Sequence, residues 1–157
     1  MASTQRLSIS DVDPGAQKAV FALSSYVRAS NLGEGLLALL DIRASQINGC
    51  AWCLDMHVAQ ARKAGIEQRQ IDLVAAWREA ETLFSERERA ALAFTEAVTL
   101  ISEEGVPDDV WSEVTAVFDD EEAVQLLMAI ATINVWNRMN VAVRTELPEQ
   151  PYVPSGV

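Results

Sequence analysis

The segment "INGCAWCLDMH", residues 47–57, contains both cysteines and the only histidine of a 157-residue chain. Asn48-Gly49 is a helix-breaking pair, so a new helix is expected to begin around Cys50 and to run to Ala64, with Gly65 as its stop. Cys50, Cys53 and His57 are spaced by three and four, which on a helix puts all three side chains on one face. Both thiols then lie in or near the first turn, where free N–H groups and the helix dipole favour thiolate over thiol. One turn beyond Cys53, His57 can take its proton directly or through a water. A nucleophile, a second thiol and a base share one helix end.

Other uses of these residues make demands that the chain does not meet as well. A c-type haem needs His directly after the second Cys, and Leu54 stands there. Structural zinc asks for four closed ligands, whereas the chain offers two Cys and one His, so a carboxylate such as Asp55 or a subunit contact would have to complete the site. A merely stabilising disulfide would close a very small loop and remove little chain entropy. A lone histidine on a packed helix face is ordinarily just a hydrogen-bonded core residue, but its place one turn after a CxxC pair favours thiol redox chemistry.

Half of the residues are hydrophobic and 22% are charged, as in ordinary globular domains. One domain over residues 1–157 is expected, since no linker or internal repeat divides the chain. The net charge of −11 argues against nucleic acid and anionic lipid. Apolar runs such as "LLALL" and "LLMAIA" are too short to span a bilayer. "MASTQRLSIS" lacks the apolar core of a secretion signal. The expected compartment is the cytoplasm, where paired thiols are usually catalytic or metal-binding.

The rest of the chain reads as helices, so the fold class is all-α. Asp13-Pro14 has the form of an N-cap followed by Pro at the first helical position, and Ala19, Val20, Leu23 and Val27 make a stripe behind it. Residues 34–47 form a broadly apolar helix, and 67–78 a shorter one. Ser85 and Glu88 are spaced as a capping box for a helix ending at Gly105. Pro107-Asp108-Asp109 starts a short helix; Asp119 and Glu122 open a long one that ends before Pro148. The Pro-containing tail from about residue 147 is expected to be extended. Helices 36–47 and 123–135 are apolar on more than one face, and burial between subunits of a homo-oligomer is the expected remedy.

Attack of one thiolate on the terminal oxygen of a hydroperoxide gives a sulfenic acid, and the second Cys condenses with it to a disulfide. An external dithiol restores the pair by exchange. A pure disulfide reductase, or an oligomer whose dithiol records redox state, would use the same residues without the peroxide step.

"SQINGCAWCLDMHVAQARKAG", positions 45–65, resembles the core motif of AhpD-like alkylhydroperoxidases within the carboxymuconolactone decarboxylase family. "ERERAALAFTEAVTLI" and "IATINVWNRMNVAVR" resemble the later helices of its short, single-motif members, so the likeness spans roughly residues 15–145. The resemblance implies a helical homo-oligomer, commonly a trimer or hexamer, with no bound metal or organic cofactor. It makes Cys53 the peroxide-attacking cysteine, Cys50 the resolving cysteine and His57 the proton relay, with a lipoyl-bearing or thioredoxin-like protein as reductant. The family's relay glutamate falls at Ala38 here. Glu34, one turn earlier, and Asp41, three residues later, are the candidates to replace it. Decarboxylation of a lactone is the lesser implication, because enzymes of that kind generally lack the CxxC pair.

Trp136, Asn137, Arg138 and Asn140 invite a pocket reading, though periodicity makes packing the simpler role. Trp52, between the thiols, is placed either to shield them from solvent or to meet a partner subunit.

Overall fold

The computed structural model describes residues 4–152. After one helical turn, α1 (Ile9–Val12), the Asp13 carboxylate accepts the backbone N–H groups of Gly15 and Ala16 and starts α2 (Pro14–Arg28) as its sequence requires. Gly33 leads into α3 (Glu34–Asn48), and Gly49–Cys50 turns the chain into α4 (Ala51–Lys63). The stretch expected as one helix over 67–78 is instead α5 (Gln68–Leu73) followed by tight 3₁₀ turns at Val74–Ala76 and Glu81–Leu83. These turns seat Trp77 and Phe84 inward, both nearly fully buried, where a continuous helix would carry the chain away from the core.

The expected capping box at Ser85 is formed, and the helix start at Asp119 proves to be a second one. Ser85 and Glu88 open α6 (Glu86–Thr99), and Asp119 and Glu122 open α9 (Asp120–Val143). The helix from Ser85 does not run unbroken to Gly105: it yields at Leu100 and resumes as the single turn α7 (Ile101–Glu104). Pro107 precedes α8 (Asp108–Val117). Residues 145–152 are without helix, and the remainder of the expected extended tail lies outside the described residues. No strand is found among the described residues.

The fold is organised around α3, which packs against α4, α6 and α9. One face of it gives Leu37 and Leu40 to a cluster with Phe94 of α6, Val114 of α8, and Leu126 and Ile130 of α9. The other gives Ala38, Leu39 and Ile42 to a cluster with Ala61, Ile71, Val74, Trp77 and Leu92. An apolar surface on both sides of one helix is what a central position demands, so α3 finds its cover within its own chain. α9 is only partly covered and leaves Val124 and Leu127 exposed. By length and composition α9 alone among the described helices would reach across a bilayer, although the apolar runs within it are short. Here it packs against α2, α3, α4, α6 and α8, as the core helix of a helical bundle does.

Candidate active site

Both ends of the turn between α3 and α4 are hydrogen-bonded. Gly49 adopts the left-handed conformation, φ +65°, so that its N–H reaches the Gln46 carbonyl while Cys50 N–H reaches that of Ser45. The chain re-emerges extended at Cys50, whose Sγ caps α4 by accepting the Cys53 N–H at 3.4 Å. The cysteines are free thiols, only 2% and 1% exposed, in a small cluster with Ala44 and Ile133 that Trp52 and Trp136 border. Trp52 stacks on Tyr152 of the C-terminal segment, with ring centroids 6.1 Å apart, so within this chain its cover is the tail.

The two sulfurs act as one unit. Hydrogen bonding from the Cys53 side chain, with help from its N–H and from Asn137, brings Cys50 down to about 7 against the cost of burial. The same contact, burial and charge on Cys50 push the Cys53 thiol up, opposed by the amides of Asn140 and Asn137. Of the two sulfurs, Cys50 at the helix N-terminus is therefore the one that ionises more readily.

His57 is buried on α4, one turn past Cys53. Its Nδ1 lies 3.3 Å from Asp41 Oδ2 on α3 and 2.7 Å from Gln60 Oε1. Both neighbours are acceptors, which assigns the Nδ1 position to N–H in the neutral ring and leaves Nε2 as the basic nitrogen. Nε2 is buried and has no hydrogen-bond partner. Burial pushes Asp41 up from 3.8 to about 6 in spite of the pull of His57. Of the two carboxylates weighed as stand-ins for the glutamate absent at Ala38, Asp41 therefore meets the imidazole. Glu34 is exposed at the first turn of α3, and Ala38 is buried in the apolar cluster that α3 shares with α4.

The late polar residues of α9 do more than pack. Asn137 is fully buried and donates to Ser45 Oγ at 3.0 Å. Its Oδ1 and that of Asn134 both accept from Asn48 Nδ2 at 2.9 Å, and Asn134 donates to Thr99. Asn140 Nδ2 lies 3.3 Å from Cys53 Sγ. Arg138 bonds the Asn134 carbonyl and borders an open cavity of about 330 Å³ with Asn48, Asn137, Val141 and Ala142. Trp136 does pack, edge-on to Phe21, with its Nε1 donating to Ser24. Periodicity made packing the simpler role for these residues, but their polar groups could be matched only once Ser45 and Asn48 of α3 were opposite them. Gln60 was missed as well; its only signal was its place three residues after His57. No group of acidic, Cys and His side chains suited to a metal ion occurs among the described residues.

This is a helical fold with a dithiol at a helix N-terminus and a carboxylate–imidazole pair beside it. The model of the carboxymuconolactone decarboxylase family matches residues 14–97, and the chain belongs to that family, among its AhpD-like members. It is 37% identical to the uncharacterized protein YdfG of Bacillus subtilis, covering 88% of this chain and 94% of that one. A crystal structure of an Agrobacterium tumefaciens protein of unknown function, named for an AhpD-type antioxidant defence role, superposes with a TM-score of 0.90 at 43% identity. That match covers 94% of this chain and 100% of the other. The debrominase Bmp8 shares the fold at a TM-score of 0.79 and 21% identity, over 90% of this chain and 75% of its own.

Proposed function

We propose that this protein is an AhpD-like thiol peroxidase that reduces alkyl hydroperoxides through Cys53 and Cys50, with His57 as base and Asp41 as its relay acid. The observation that carries the reading is the His57 imidazole, tied at Nδ1 by Asp41 and Gln60 and unpartnered at Nε2, one helical turn from a buried dithiol.

In the reaction His57 Nε2 takes the first proton that the pair loses, leaving the charge on Cys50. Transfer of the Cys53 proton to Cys50 then moves the charge to Cys53. The Cys53 thiolate attacks the terminal peroxide oxygen: an S–O bond forms, the O–O bond breaks, and the alkoxide leaves with the proton held by His57. The Cys50 sulfur next attacks the sulfenic acid, forming the disulfide and releasing water. A dithiol on a lipoyl-bearing or thioredoxin-like protein reduces the disulfide by exchange and becomes oxidised in turn. The protein works in a reducing cytoplasm as a homo-oligomer, a trimer or hexamer, in which the exposed Val124 and Leu127 of α9 find cover. No bound cofactor takes part.

Stopped-flow reaction of the reduced protein with excess alkyl hydroperoxide tests this, alongside Cys53→Ser and Cys50→Ser. Rapid peroxide loss that disappears in Cys53→Ser, with overoxidised Cys53 accumulating in Cys50→Ser, is the expected result. A rate no better than that of a free thiol would refute it.

The position of Cys50 favours a second reading. A thiol brought down to about 7 at the start of a CxxC helix is near the optimum for disulfide exchange at neutral pH. Rapid exchange with a small disulfide, lost in Cys50→Ser and accompanied by no peroxide reaction, would select it. Lactone decarboxylation, the reaction in the family's name, has no use for the dithiol.

A further inference from the structure

Nothing in the thiol chemistry above explains why a neutral amide is built against the sulfur that reacts. Asn140 sits in the last turns of α9 with Nδ2 3.3 Å from Cys53 Sγ. Its orientation is held from behind. α9 ends in a turn in which Arg144 takes the left-handed conformation, φ +57°, the one non-glycine residue with positive φ among those described. Arg144 N–H returns to the Val141 carbonyl and Thr145 N–H to that of Asn140, at 3.3 and 3.0 Å. This doubled-back ending brings Thr145 over Asn140, where its hydroxyl donates to Asn140 Oδ1 at 2.8 Å. With Oδ1 engaged by Thr145, the amide presents its N–H groups to sulfur. A conformation costly for arginine is thus spent on a turn that aims one side chain.

The amide has a specific electrostatic consequence. Cys50 enjoys the helix N-terminus and the Cys53 N–H, so unaided it would keep the charge of the pair. Cys50 packs with Cys53, and the other titratable groups of the site are His57, one turn further along α4, and Asp41 of α3 against His57. Neither anion, the Cys50 thiolate or the Asp41 carboxylate, favours charge on Cys53, and the imidazole does so only once protonated. Asn137 acts on both sulfurs, whereas Asn140 donates to Cys53 alone, and an amide N–H stabilises thiolate sulfur more than thiol.

We infer that Asn140 is a catalytic residue of the dithiol, its amide drawing negative charge onto Cys53 Sγ and so selecting which sulfur attacks, with Thr145 as the residue that positions it. The inference rests on the dithiol reading of the site and deepens it. The charge moves by transfer of one proton from Cys53 to Cys50; no other reactant is needed.

The test is titration of single thiols by thiolate absorbance in the full-length protein. In a Cys50→Ser background, Asn140→Ala raises the Cys53 midpoint by about one pH unit, roughly tenfold less thiolate at a given pH below it. Asn140→Asp, which places an acceptor and a charge against the sulfur, raises it further. Thr145→Val, outside the core and remote from the sulfur, raises it by a smaller amount and keeps the test valid should an Asn140 variant fold poorly. Cys50, titrated in a Cys53→Ser background, stays in place in all three. A Cys53 midpoint unmoved by Asn140→Asp and Thr145→Val, or equal shifts at both sulfurs, overturns the inference. Because no peroxide enters the titration, its outcome is separate from that of the peroxidase assay.

Discussion

Asp41 Oδ2 and His57 Nδ1 meet at 3.3 Å across the contact between α3 and α4, so the carboxyl and the imidazole of the site are held by different helices. That geometry has a cost for the fold. Asp41 keeps only 19% of its side-chain exposure, and burial pushes its carboxyl to about 6. Folding therefore favours its protonated form. The penalty is absent below the ordinary value of 3.8, grows as pH rises towards 6, and is complete above it. Asp41→Asn is expected to stabilise the protein by about 1–3 kcal/mol at pH 8 and by nothing near pH 3. Denaturant titrations at the two pH values check this. The same variant should lose on the order of tenfold or more of its peroxide reaction, since proton transfer is weakened.

The pH dependence of the thiol chemistry should carry two inflections. Loss of the Asp41 proton near 6 completes the relay, and loss of the first dithiol proton near 7 supplies the thiolate. The rate of peroxide loss rises through both and levels off above. In Asp41→Asn only the upper step should remain.

Glu96 shows the opposite linkage. Burial would push its carboxyl up, but hydrogen bonds from Arg78, Arg43 and Trp77 prevail and hold it below the usual range. Its stabilisation is present above 4.5 and lost as pH falls through the lowered native value. Glu96→Gln cannot accept from two guanidinium groups at full strength and should cost about 1–3 kcal/mol at neutral pH. The deficit should shrink in acid, measured by thermal unfolding at pH 7 and pH 3.

Gly49→Ala isolates a conformational cost. An added Cβ meets nothing within 4 Å, yet φ stays at +65°. The substitution should destabilise by about 1–2 kcal/mol, read by chemical denaturation. It should also slow alkylation of Cys50, whose place at the start of α4 depends on this turn.

Tyr152→Ala removes the ring stacked on Trp52 above thiols that are nearly closed to solvent. Modification of the dithiol by a neutral thiol reagent should become several-fold faster, while unfolding stability changes little. An unchanged rate would mean that the tail does not limit access.

Much of this site was legible in residues 45–65. A break, a capping position and side chains three and four apart are local rules, and local rules survive whatever the rest of the chain does. The capping box at Ser85 and the helix start at Asp119 were readable for the same reason. The helical reading of 67–78 went astray because burial of Trp77 and Phe84 outweighs propensity there, and no periodicity within the segment announces it. The interruption at Leu100 was equally silent.

Spacing along the chain determined which residues share the start of α4 and that a dithiol and a base would lie on one face. It could not choose between Glu34 and Asp41, because that choice depends on how α3 rolls against α4. Nor could it tell that Asn140 would reach Cys53 from 87 residues away. Those pairings arise from helix packing, in which apolar faces set the rotation of each helix and polar side chains meet whatever stands opposite.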